Sequence, residues 1–197
     1  LLMNFQGISM KTLKQDREVW LITERRAWKR PTKITVSQWA DQYRYLNPVT
    51  SAEPGRWKTS RTPYLQGVMD AFTDPHIEEI TVMASSQVGK TEAMFNMLGY
   101  VMDQDPGPTL VVLPRENDAK SVSYNRVLPM IHGSPALRNR LPTDVDDITK
   151  LEYRFDRMIL FFAGSNSPAD LASRPIRYLF LDEIDKYPRF AGREADP

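Results

Sequence analysis

Two short runs of residues carry groups that could do chemistry. Ala84-Ser85-Ser86-Gln87-Val88-Gly89-Lys90-Thr91 has the spacing G-x-x-x-x-G-K-[ST] of a phosphate loop (Walker A), with alanine in the first glycine position. A loop that feeds a helix N-terminus aims several backbone N–H groups and the positive dipole end at a phosphate chain. Gly89 keeps a Cβ out of the path of the phosphates. Lys90 would reach the β and γ oxygens, and the Thr91 hydroxyl is a hard oxygen ligand for Mg²⁺. The nucleotide-binding candidates of this run are Ser85, Ser86, Gln87, Val88, Gly89, Lys90, Thr91 and Glu92. Against it, Ala84 cannot take a positive φ cheaply. A chance GKT at a helix start would leave Lys90 merely exposed.

The second run is Tyr178-Leu179-Phe180-Leu181 followed by Asp182-Glu183. Four apolar residues suit a strand buried on both faces, and α/β sheets place their ligands at the carboxyl ends of such strands. This is the Walker B pattern: Asp182 would hold Mg²⁺ directly or through water, and Glu183 would accept a proton from the attacking water. Alone, the run reads better as a strand with an acidic turn. Paired with the phosphate loop it points to nucleotide and Mg²⁺ binding, with Lys90 on the phosphates and hydrolysis resting on Glu183.

The elements that must position these groups are legible as periodicity. Strands fit at 80–84, 109–113, 151–155, 158–163 and 178–181, and helices at 90–102 and 115–127. Short apolar strands alternating with amphipathic helices predict a mainly parallel sheet flanked by helices. Asp156-Arg157 reads as the turn of an inserted hairpin. Upstream, residues 12–29 fit a helix stopped by Pro31, and residues 36–46 a second one with Thr35 as N-cap. Residues 47–63 hold Pro48, Pro54, Gly55 and Pro63 and read as a linker. Pro63 then opens a helix running to about residue 72.

Composition narrows the classes. The 41% apolar and 26% charged content excludes a disordered tail, and the absence of cysteine excludes a disulfide framework and a thiolate zinc site. The two histidines lie too far apart in sequence to suggest a His-rich metal centre. The longest apolar run, 158–163, is far short of a membrane helix. With no secretory leader, the chain reads as soluble and intracellular. Charge is balanced overall but not locally. Residues 1–61 hold 12 basic and 5 acidic side chains, net +7, whereas residues 62–197 hold 14 and 20, net −6. A basic arm on an acidic body suits a polyanion or an acidic partner; a solvated basic helix face suits the numbers equally well.

Six blocks in order resemble the ATPase portion of phage terminase large subunits of the lambda-type gpA family, which package DNA into procapsids. They are Val36-Ser37-Gln38-Trp39-Ala40-Asp41, Pro54-Gly55-Arg56-Trp57, Thr62-Pro63-Tyr64-Leu65, Ser86 to Glu92, Ala163-Gly164-Ser165-Asn166-Ser167, and Arg174-Pro175-Ile176-Arg177-Tyr178 leading into Asp182-Glu183. The resemblance implies a P-loop ATPase of the additional-strand type, preceded by a helical arm, that translocates double-stranded DNA. It implies adenine contacts from the segment before the loop, making Tyr64 and Gln66 candidates for stacking and base-edge hydrogen bonding. A core role fits Tyr64 as well. Trp57 reads as a lid anchor, a DNA-facing wedge or a packed core residue, and Arg56, Lys58 and Arg61 around it as phosphate contacts or solvated charges. Ser165 and Asn166 read as phosphate- or water-orienting groups, or as turn formers.

Two departures from the family pattern stand out. Where many large terminases carry a loop arginine this chain has Ser86, so the charge on the γ-phosphoryl group would be met from elsewhere. Arg115, Arg126, Arg174 and Arg177 are the candidates, acting in trans from a neighbouring subunit. The family's next strand and its nuclease domain are expected beyond the 14 residues that follow Glu183. The chain therefore reads as residues 1–9 of tag remnant, a basic helical arm over 10–50, and an ATPase core over 51–197 incomplete at its C-terminus. An exposed strand edge there would favour self-association. The implied partners are duplex DNA, the small terminase subunit through the arm, the portal protein and sibling subunits, with no membrane, in the host cytoplasm. A helicase-like ATPase, for which Asp182-Glu183-Ile184-Asp185 is the box, and a nucleotide-binding module without turnover are the rival readings.

Overall fold

The computed structural model describes residues 34–49, 51, 53–167, 171 and 174–188, all within one compact unit, 34–197. Residues 1–9, read as a tag remnant, and the helix predicted at 12–29 lie outside the described residues. Thr35 caps helix α1 (Val36–Tyr43) through a reciprocal capping box with Gln38. Val36, Trp39 and Ala40 recur at helical spacing and are fully buried. The helix stops three residues before its predicted end because Arg44 turns extended and sends its side chain inward. Tyr45–Leu46 (β1) then pairs antiparallel with Gly55–Arg56 (β2), so part of the predicted linker is a small ribbon. Just past it Trp57 is buried and its indole donates to Thr59 Oγ1 at 3.1 Å, so it is a packed core residue and not a wedge facing outward.

Pro63 opens a 3₁₀ turn, Pro63–Leu65, that runs into α2 (Gln66–Ala71). The long helix α3 (Lys90–Gln104) lies under α1. The Trp39 ring closes over Gly99, and the Trp39 indole donates to Asp103 Oδ2 at 3.0 Å. Further helices are α4 (Glu116–Val122), α5 (Leu128–Gly133) and α6 (Pro135–Arg138). Between α4 and α5 the predicted single helix widens into a π-turn over Ser123–Val127. Its cause is visible: the buried Tyr153 hydroxyl donates to the Ser123 carbonyl and accepts from the Ser123 hydroxyl, both at 2.8 Å. A side chain inserted into the helical ladder is an established way to make such a bulge.

The strands β3 (Thr109–Leu113), β4 (Glu152–Phe155), β5 (Met158–Gly164) and β6 (Tyr178–Leu181) form one sheet in the order β4-β5-β3-β6. β5, β3 and β6 are parallel, and β4 joins β5 as the expected antiparallel hairpin. Alternation sorts the side chains. Val111, Leu113, Leu160, Phe162 and Phe180 face the main core with α3 and α4, whereas Leu110, Val112 and Ala163 form a second, smaller cluster on the other face. Burying each large aliphatic or aromatic side chain of this core contributes roughly 1.5–3 kcal/mol.

One predicted strand is absent. Residues 80–84 pair with no described segment, and Thr81, Val82, Met83 and Ala84 are exposed. A strand exists only through its ladder, and among the described residues β6 is the last strand on that side of the sheet.

Candidate functional site

The two chemical runs meet in space. Parallel pairing of β6 with β3 continues one residue past Leu181, where the Asp182 N–H donates to the Val112 carbonyl at 3.1 Å. Residues 178, 180 and 182 share one face of the pleat, the face of the main core, so Asp182 emerges on the side of α3. There its Oδ2 accepts a hydrogen bond from the Thr91 hydroxyl at 3.1 Å, joining residues 91 positions apart. Asp182 Oδ1 accepts the Glu183 N–H at 3.0 Å, which fixes the carboxylate plane. Tyr187 donates to the same Val112 carbonyl at 2.8 Å; burial, with the Asp182 charge second, pushes its phenol up to about 12.

The Thr91–Asp182 pair fits a small hard cation. Two oxygens on adjacent corners of an Mg²⁺ octahedron are about 3.0 Å apart, given metal–oxygen bonds of about 2.1 Å. The observed 3.1 Å needs little adjustment. Among the described residues no group of three or more His, Asp or Glu could hold a metal ion. An ion here would take its remaining ligands from phosphate and water, which is how Mg²⁺ is usually held.

Around the turn before α3 the left-handed positions are Gln87 (φ 60°) and Gly89 (φ 85°), and not Ala84. The alanine at the first motif position is therefore under no conformational strain. Gly89 is the N-cap of α3, and a Cβ there would sit 3.1 Å from Leu65 Cδ1. Ser85, Ser86 and Gln87 are exposed and Val88 half-buried. Lys90 Nζ folds back and donates to the Ala84 and Ser85 carbonyls, each at 2.8 Å, a posture that ties the loop to the helix. Tyr64 donates to the Val88 carbonyl at 3.2 Å while its ring is 60% exposed. The neighbouring Leu65 fills the core position instead, which rules out the core role for Tyr64. Gln66, the first residue of α2, is exposed.

Glu183 sits just past β6 in a left-handed conformation (φ 55°), a strain of order 1 kcal/mol that a non-glycine residue keeps only when its surroundings demand it. Its carboxylate is paired with Lys186 at 2.8 Å. The i, i+3 spacing of Glu183 and Lys186 is the sequence signal for that pair.

Glu92 leaves α3 on a different side from Thr91. It binds Arg44 Nη2 and Arg126 Nη2, both at 2.8 Å. Arg44 is almost wholly buried, its Nη1 donates to the Tyr45 carbonyl at 2.6 Å, and its Nε has no partner. Burial pushes its guanidinium down to about 10, with Glu92 opposing that shift and Arg126 adding to it. Sequence reasoning missed Arg44, because nothing in an isolated arginine after a helix announces burial.

The four arginine candidates separate. Arg177 is paired with Asp105 at 2.7 Å and its N–H donates to the Pro108 carbonyl, at the opposite end of the strands from Asp182. Arg174 lies over the Phe161 ring at 4.3 Å. Arg126 is held by Glu92 and lies 5.5 Å from the Phe95 ring centre. Arg115 follows the carboxyl end of β3, on the same edge as Asp182, and is largely exposed beside Asp118. Ser165 is buried, with its N–H donating to the Leu113 carbonyl and its hydroxyl to the Pro114 carbonyl, so it closes the end of β5. Asn166 beside it is exposed.

These features make the chain an α/β domain with a hydroxyl–carboxylate pair at the carboxyl edge of its sheet, the edge where such sheets place ligands. It belongs to the family of phage terminase large subunits of the gpA type: the profile of that family's ATPase domain matches residues 51–197. The chain matches none of the curated proteins and none of the solved structures with which it was compared. No helix among the described residues is long and apolar enough to cross a membrane.

Proposed function

We propose that this chain is the ATP-hydrolysing part of a viral DNA-packaging motor. The observation that carries the reading is the Thr91–Asp182 contact, which joins the helix N-terminus and the strand end that the motifs nominated, in a chain of the gpA ATPase-domain family. In this reading the amides of residues 85–89 and the α3 dipole hold the phosphates. Lys90 leaves the Ala84 and Ser85 carbonyls for the β and γ oxygens. Thr91 and Asp182 would hold Mg²⁺, which would neutralise phosphate charge when bound. Glu183 would take the proton of the attacking water, once Lys186 yields its carboxylate. The exposed Tyr64 ring and Gln66 would receive the adenine, and Arg115 is the best-placed arginine to serve a neighbouring subunit's γ-phosphate.

The basic arm over residues 10–50 would meet the small terminase subunit. The motor would work as a homo-oligomer on double-stranded DNA at the portal, in the host cytoplasm. Turnover of Mg-ATP should be lost in both Lys90→Ala and Glu183→Gln and should respond to duplex DNA. The Glu183–Lys186 pair also favours a second reading, nucleotide binding without turnover. ATP binding abolished only by Lys90→Ala, with no phosphate release in any variant, would select it.

A further inference from the structure

Glu92 sits in the first turn of α3, two residues from Lys90, where a bare carboxylate would repel a phosphate chain. One buried guanidinium, Arg44, already pairs with it, yet a second, Arg126, is brought to its other oxygen. A second cation is superfluous for pairing, and it leaves the cluster with an excess positive charge carried by a guanidinium that still reaches solvent. The placement is not incidental. Arg126 reaches Glu92 from the π-turn that the Tyr153 hydroxyl holds open at Ser123, and Phe95, one turn along α3, supports its guanidinium.

We propose that Arg126 is a positioning residue for nucleotide: it masks the Glu92 carboxylate so that the first turn of α3 presents net positive charge to the phosphates. It acts through Glu92 and not by touching the ligand. This rests on the reading of residues 84–91 as the phosphate site.

The test is a double-mutant cycle on ATP affinity, with thermal unfolding recorded for every variant. Arg126→Gln should weaken ATP binding about tenfold at low salt, a loss that combines the guanidinium's own field with that of the Glu92 carboxylate it no longer holds. The loss should shrink at high salt. Arg126→Lys should keep most of the affinity. In a Glu92→Gln background, Arg126→Gln should cost clearly less affinity, because no carboxylate is left to hold and only the direct field of the guanidinium is lost. A purely structural role predicts the opposite, a lowered unfolding temperature with unchanged affinity, and would overturn the proposal. An undiminished loss in the Glu92→Gln background would also overturn it, since Arg126 would then act on the ligand directly. If Lys90→Ala leaves ATP affinity unchanged, the phosphate-site reading itself falls. If Lys90→Ala abolishes binding while Arg126→Gln changes nothing, only the masking role falls.

Discussion

The same substitution, glycine to alanine, should move stability in opposite directions at two helical positions of this domain. Gly99 lies in the middle of α3, where a Cβ would come 2.3 Å from Trp39 Cη2 and 2.7 Å from Cζ3. The Trp39 ring cannot step aside, being fully buried and tied by its indole to Asp103. Alanine in a helix interior gains about 1 kcal/mol over glycine. Overpacking a closed core costs typically 1–3 kcal/mol, and a clash with a rigid ring and not a flexible chain end belongs at the upper end, about 2–3 kcal/mol. The clash should win, so Gly99→Ala should lose about 1–2 kcal/mol net. Gly67 in α2 has nothing within 4 Å of its would-be Cβ and no positive φ, so Gly67→Ala should gain about 0.5–1 kcal/mol. Urea unfolding monitored by tryptophan fluorescence would read both as midpoint shifts at constant slope. A neutral or stabilised Gly99→Ala would refute the claim that α1 and α3 are locked through this contact.

Thr91→Val keeps the volume and removes the hydroxyl, so the Mg²⁺-dependent gain in nucleotide affinity should fall about tenfold while binding measured in EDTA stays near wild type; calorimetry with and without metal distinguishes the two. Tyr153→Phe strands the buried Ser123 hydroxyl and should cost about 1–3 kcal/mol in an unfolding experiment at neutral pH. Burial raises the Tyr153 phenol from 10 to about 12, so its contribution is intact below pH 10 and is lost as pH climbs toward 12. The variant's stability should therefore fall less steeply across that window. If the basic arm contacts duplex DNA, the plot of log affinity against log salt should have a slope of several units, and a flat plot would remove the arm from the DNA path.

The parts of this structure that were legible in the sequence are those fixed by local chemistry. Thr35 and Gln38 announce a capping box, Asp156-Arg157 a tight hairpin, and the all-apolar β3 a buried parallel strand. The strand placed at 80–84 failed because alternation reports a side chain's tendency, whereas a strand also needs a neighbour to pair with. The π-turn was illegible for a related reason: Ser123 and Tyr153 are 30 residues apart, and no pattern around either one predicts the other. At the site, the residue types were visible but their partners were not. Adjacency groups Glu92 with the phosphate contacts, yet it faces Arg44 and Arg126, one of them drawn from a segment that reads as part of the basic arm.

The alternation of β6 gives that strand a parity. Tyr178 and Phe180 lie against Phe72, Leu179 and Leu181 point to the other side, and Asp182 inherits the side of the even-numbered residues. Inserting or deleting one residue between Tyr178 and Leu181 would turn Asp182 away from Thr91 and bring Glu183 or Leu181 to it. A change of two residues would preserve the side while shifting the depth at which the carboxylate emerges. Substitutions along β6 alter packing by degrees, but its length is read as odd or even. Natural variants of this segment should therefore differ freely in which apolar residues they use and hardly at all in how many.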